Sequence, residues 1–175
     1  MGMDMKKPIH ADALAKNLLN FALAVSEEVE KKRGQDFYVE SMILKLFAVD
    51  FILYMRTQTH PMLEIVRAKF NSGIDKFCES RPELAGLDEA IAERFQKYAE
   101  ACKKVHYANE KNPSKPIHYH VGKAFSSFVK GHEARDALES TRIDWLFWTT
   151  CRDLTAILES YDVIPSHEEP NAEVN

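Results

Sequence analysis

Glycine is scarce in this sequence and never clustered. The six glycines stand at 2, 34, 73, 86, 122 and 131 of 175 residues, too scattered to make a phosphate-cradling loop. Cysteine is scarcer: Cys78, Cys102 and Cys151 are far apart, odd in number and form no Cys-x-x-Cys. That argues against a disulfide framework or a zinc ribbon. Each lies in an apolar helical pattern, so all three are expected to be buried free thiols in a reducing compartment. Valine and threonine are sparse, and no window alternates polar and apolar residues, so no strand is expected. The longest nearly apolar run holds about fourteen residues with two charges, short of the ~20 that a membrane span needs. The segment MGMDMKKPIH has two lysines but no apolar stretch behind them, unlike a secretory signal. A cytoplasmic protein without membrane association is expected.

Catalytic and metal motifs are missing too. There is no Gly-x-Ser-x-Gly, His-Glu-x-x-His or His-x-x-x-His. No glutamate is followed three residues later by histidine, as carboxylate di-iron bundles require. His60/Glu64 and His106/Glu110 are i,i+4 pairs that share a helix face. His118 and His120 would project about 200° apart from a helix and not chelate together. No catalytic residue, metal or cofactor is expected.

What the sequence has is one organising stretch, Met42 to Met55, reading MILKLFAVDFILYM. Only Lys45 and Asp50 interrupt it, and its apolar residues cover every side of a helical wheel. A helix that is apolar all round must be surrounded by others. Proline and glycine divide the remainder into helical intervals. The expected helices cover about 9–32, 36–59, 61–79, 87–109, 117–130 and 132–161, with Asp36 as the N-cap of the second. Ser80-Arg81-Pro82-Glu83 fits a capping box. Ile91, Phe95, Tyr98, Cys102 and Val105 have the seam spacing of a bundle helix, as do Ile143, Phe147, Thr150, Leu154, Ile157 and Tyr161. Trp145, Leu146 and Trp148 widen that last apolar face. The fold class is all-α: an up-and-down bundle of five or six helices around the central helix at about 36–59. One domain at 9–164 follows, between a flexible N-terminus at 1–8 and a disordered acidic tail at 165–175.

Two places carry polar chemistry. Asp50 sits in FAVDFILYM, where an unpaired carboxylate is costly. A buried ion pair with Arg152 or Arg142 of the last helix is expected, and Lys45 is expected to reach out of the core. The second place is a basic corner. The net charge is −4, yet 101–130 holds six lysines and one acid, a local +5 against −9 elsewhere. Lys103, Lys104, His106, Tyr107, Lys111, Lys115, His118, Tyr119, His120 and Lys123 gather around a break at 112–116. Such a corner offers lysines to phosphates and rings to bases, as a nucleic-acid or other anion site would. A solvated lysine-rich face accounts for it more simply, and the acidic net charge argues against a protein built wholly for nucleic acid.

Three short fragments resemble known motifs. Arg56-x-x-x-His60 resembles the Arg/His pair of helical HEPN-class ribonucleases, with a shorter spacing and Pro61 closing the helix. His132-Glu133-Ala134-Arg135-Asp136-Ala137-Leu138 resembles the H-box of histidine-kinase dimerisation domains, with Ala137 where proline is usual. His120-Val121-Gly122-Lys123 resembles the His-x-x-Lys of phosphotransfer domains, with Ala124 where glycine is usual. Each covers under ten residues and departs at a key position, so none assigns a family.

Ten Phe, six Tyr, two Trp and six Met lie on helices whose stripes are already full. That surplus points to a non-enzymatic interaction module, most simply a self-associating homo-oligomer such as a dimer, or a protein that binds another protein. The alternatives are a ligand-binding or catalytic bundle with a polar site around Asp50, or an anion-binding corner at 103–123.

Overall fold

The computed structural model describes residues 6–24, 35–103, 116–130 and 137–165. Among them are six α-helices: α1 (Ala11–Leu23), α2 (Gln35–Thr57), α3 (Met62–Glu79), α4 (Leu87–Lys103), α5 (Ile117–Lys130) and α6 (Ala137–Ser160). They pack as an all-α bundle. The centre is α2: every residue from Glu40 to Val49 except Lys45 is buried, as is Leu53.

Side-chain contacts give the helix directions. Asp50 meets Arg67, so α2 and α3 are antiparallel. Phe47 and Phe51 meet Phe147, and Arg56 meets Glu159, so α2 and α6 run the same way. Asp12 meets Lys69 and Leu19 meets Gly73, so α1 and α3 run the same way. A Cβ on Gly73 would stand 2.9 Å from Leu19 Cδ2, so glycine lets α1 approach closely there. The chain thus rises and falls in alternation, as short connections between helices favour.

Several boundaries differ from the sequence expectation. Asp36 lies inside α2 rather than capping it. Ser80 is the C-cap of α3, with its hydroxyl donating to Phe77 O at 2.8 Å, and the 3-10 turn Pro82–Leu84 follows Arg81 with no side-chain cap bond. The chain then turns at Gly86, whose φ of 82° lies in the left-handed region. Helix α1 starts two residues late and ends at Leu23; the expected continuation to 32 lies outside the described residues, as do 104–109, 132–136 and the tail from 166.

Two strands were not foreseen. β1 (Lys7–His10) and β2 (Tyr161–Ile164) pair in parallel, with Lys7 opposite Tyr161 and His10 opposite Ile164. Lys7 and Pro8 therefore belong to a ladder, not to a flexible end, and Tyr161 leaves the last helix. Four residues per strand are too few to show an alternation. A parallel pair needs a long crossover, and here the whole bundle is that crossover. The imidazole of His10 adds a bond to Pro165 O at 3.0 Å.

Aromatic rings fill the middle of the bundle. Phe47 is 4% exposed and lies 5.2–6.1 Å, centroid to centroid, from Phe95, Tyr98, Phe51 and Phe147. Its ring joins α2, α4 and α6 at one point. Phe47→Ala is expected to cost about 3–5 kcal/mol in a urea melt. A loss below ~1 kcal/mol would mean that the cluster does not hold these helices together.

Candidate functional site

Asp50 is half-buried on the α3 side of α2, and its partner is Arg67. The guanidinium donates through Nε to Oδ1 at 2.7 Å and through Nη2 to Oδ2 at 2.9 Å, and Asn71 Nδ2 donates to Oδ1 at 3.1 Å. Arg67 and Asn71 are i,i+4 on α3, so one face of that helix presents both donors. The Asp50 side chain is 13% exposed and that of Arg67 34%. The hydrogen bond to Asp50 pushes the Arg67 pKa above its ordinary value, against the opposing effect of burial. Arg67 also lies over the Tyr54 ring at 5.0 Å. Arg152 of the last helix does not supply the cation: it is exposed, bonds Asp153 at 2.8 Å and lies over Trp148, while the side chain of Arg142 lies outside those described. Arg152 is therefore not a buried polar group. A cavity of about 340 Å³ opens beside the Asp50 pair between α3 and α4, with Asp75, Asp88 and Phe95 in its walls. Among the described residues no three His, Cys, Asp or Glu side chains gather as a metal would require.

A second ion pair escaped the sequence reading. Glu40 is 7% exposed and takes bonds from Arg94 Nη2 at 2.9 Å and Nε at 3.1 Å. Arg94 lies over the Phe128 ring at 4.2 Å. The signal was available: Glu40 stands two residues before the apolar run and ten before Asp50. Tyr98 stands close by, fully buried, and its hydroxyl has no partner among the described residues; the same holds for Ser41 and Ser126. Burial, helped by the Glu40 carboxylate, pushes the Tyr98 phenol well above its usual pKa. It stays protonated at neutral pH.

Lys45, the one residue between Glu40 and Val49 that is not buried, reaches out of the core as expected and ends on α1. Its ammonium donates to Phe21 O at 2.7 Å and Ala24 O at 3.0 Å, and lies 4.7 Å from the Phe21 ring centroid. It satisfies carbonyls that the end of α1 leaves open. Burial pulls its pKa below the usual lysine range.

Part of the basic corner is described. Lys104, His106, Tyr107, Lys111 and Lys115 lie outside the described residues. Lys103 is exposed at the end of α4. Tyr119, His120 and Lys123 of α5 line a cleft of about 480 Å³ with Lys97, Glu100 and Ser127. The Tyr119 and His120 rings meet edge to face, and Lys123 lies over Tyr119. His118 is half-buried on the same helix but does not line that cleft. Of the short resemblances, Arg56 and His60 line one cavity at the end of α2; His132 to Asp136 lie outside the described residues.

The cysteines are free and half-buried. Burial pushes Cys102 up to about 11 and Cys151 up to about 12, with Cys102 adding to the rise at Cys151. No protein-family model, curated protein or solved structure matches this chain. Its chemistry must therefore be read from its own side chains.

Two outcomes follow from these geometries. Glu40→Ala leaves Arg94, 18% exposed, with the 59%-exposed Glu93 as its remaining and weaker partner, and Asp50→Ala leaves Arg67, 34% exposed, so urea melts should show about 3–4 kcal/mol lost for the first and about 2–3 kcal/mol for the second. Equal or reversed losses would remove the burial ranking. Alkylation by iodoacetamide at pH 8 should run on the order of 100-fold slower at Cys102 than at an unperturbed thiol, slower still at Cys151, and rise about tenfold per pH unit. Labelling at ordinary rates in the folded protein would mean that these thiols are not desolvated.

Proposed function

We propose that this chain acts in the cytoplasm as a non-enzymatic, self-associating helical module, joined to a second copy through the outward arc of α6. The observation that carries this is the exposure of two tryptophans on that arc: Trp145 is 66% exposed and Trp148 46%. They stand off the side of α6 on which Phe147 meets Phe47 and Phe51. Tyr54, 55% exposed, lies on the α3 side of α2 under Arg67 and is a separate ring. Trp, Tyr and Arg dominate binding hot spots, and two arginines already lie against these rings.

Charge favours a second copy as the occupant. Beside the tryptophans Arg152 sits next to Asp153, with both side chains exposed. A patch with both signs side by side is self-complementary under a two-fold rotation. The alternative of a ligand bound by Asp50 is disfavoured because Arg67 and Asn71 already occupy its carboxylate. Among the described residues no helix is long and apolar enough to cross a membrane.

Sedimentation equilibrium should give a dimer with Kd in the low micromolar range. Trp148→Ala and Trp145→Ala should each weaken it at least tenfold, about 1.4 kcal/mol or more, with the monomer's melting unchanged. A monomer at 100 micromolar protein (roughly ten times above such a Kd) would overturn the reading.

A further inference from the structure

A cavity of about 220 Å³ lies where the end of α2, the start of α3, the end of α6 and β2 come together, far along α2 from Glu40. Its chemistry is divided. Leu63, Leu158 and Val163 give it an apolar wall, and Lys6, Arg56 and His60 bring cationic or N–H-donating groups to the same space. Arg56 is held there by a single bond from Nη2 to Glu159 Oε1 at 3.2 Å, and that pair is open to solvent, with side chains 33% and 60% exposed. A guanidinium has five N–H donors in a planar fork that suits a carboxylate, and one is in use on Glu159. An exposed pair of this kind is worth little, so a competing carboxylate displaces it at small cost.

We infer that this cavity binds a small monocarboxylate with an apolar body, its carboxylate on Arg56 and its hydrocarbon against Leu63, Leu158 and Val163. Size sets the scale. The volume is below the ~300–1,000 Å³ of drug-sized sites, which points to an occupant of roughly ten heavy atoms. Charge sets the class. Lys6 and Arg56 are balanced by Glu159 and Asp162 in the same lining, so each added negative charge is uncompensated, and a phosphate dianion is disfavoured more than a monocarboxylate whose hydrocarbon meets the apolar wall. The apolar wall selects against a bare anion. The first turn of α3 contributes the Leu63 wall, and its positive end adds a modest field of the same sign. A ligand of this size binds with Kd of about 0.1–10 mM.

The test is amide chemical-shift titration of the labelled full chain with sodium hexanoate, and with hexanol and inorganic phosphate as separate arms. Hexanoate should shift amides within 59–63 and 161–163, saturating in the millimolar range, while hexanol and phosphate at equal concentration leave them in place. Arg56→Gln should weaken hexanoate at least tenfold. Glu159→Gln, at an exposed position, removes the internal competitor and should tighten it several-fold with unchanged melting. The inference is overturned if hexanoate produces no localised shifts by 20 mM, roughly twice the weakest Kd expected. It is also overturned if phosphate or hexanol competes equally, or if Glu159→Gln weakens binding.

Discussion

The fold depends on how one helix is kept from rotating. Apolar contact is non-directional, and α2 is apolar on almost every side, so burial alone gives it no preferred face. Three polar side chains provide the missing direction. Glu40, Lys45 and Asp50 are five residues apart, and each step of five turns the helix by about 140°. They therefore point roughly to three corners of a triangle. Each corner is met by a different element: Arg94 on α4, the terminal carbonyls of α1, and Arg67 with Asn71 on α3. A rotation or a one-residue slip of α2 would separate all three at once.

The cost of this device is kept low because every partner is itself in need. Lys45 donates to the carbonyls of Phe21 and Ala24, at the end of α1 where a helix leaves carbonyls without intrahelical donors. The cation also meets the negative end of the helix dipole, which offsets the desolvation that lowers its pKa. Arg94 and Arg67 each answer a carboxylate through two nitrogens, the geometry in which such pairs best repay their dehydration. Ser41, Tyr98 and Ser126 are different: their hydroxyls are buried without partners among the described residues, and they weigh against the fold rather than specifying it.

The helical class, the central position of α2 and the span of α5 were legible because they rest on periodicity and on proline and glycine, which act locally. The partners of Asp50 were not. Arg152 or Arg142 was the expected cation because the last helix is as apolar as α2, but Arg152 falls on the outward face of α6, while Arg67 reaches Asp50 across the α2–α3 hairpin. Choosing between them requires the rotation of each helix about its axis, which Glu40, Lys45 and Asp50 decide only together. The β1–β2 ladder was illegible for another reason. Its two strands are four residues each and over 150 residues apart, so neither carries a signal until the other is beside it. The basic corner was read from charge alone, and charge did not reveal that Lys123 would lie against Tyr119 instead of standing free.

The position of the tryptophans follows from the same packing. On α6, Phe147, Thr150, Leu154 and Leu158 are buried, which leaves Trp145, Trp148 and Arg152 on the outward arc. The sequence suggested that the tryptophans widen the buried face, but the space beside Phe147 is already taken by Phe47 and Phe51. Moving an indole inward would overpack a filled core, at a typical cost of ~1–3 kcal/mol. The interior therefore has no use for them. Their exposure leaves unburied the apolar area that α6 carries beyond its stripe, and Arg152 covers only one ring in part. Among the described residues the two tryptophans are thus gathered on one outward arc of α6, while Tyr54 on the α3 side of α2 and Ile65 on α3 are exposed elsewhere.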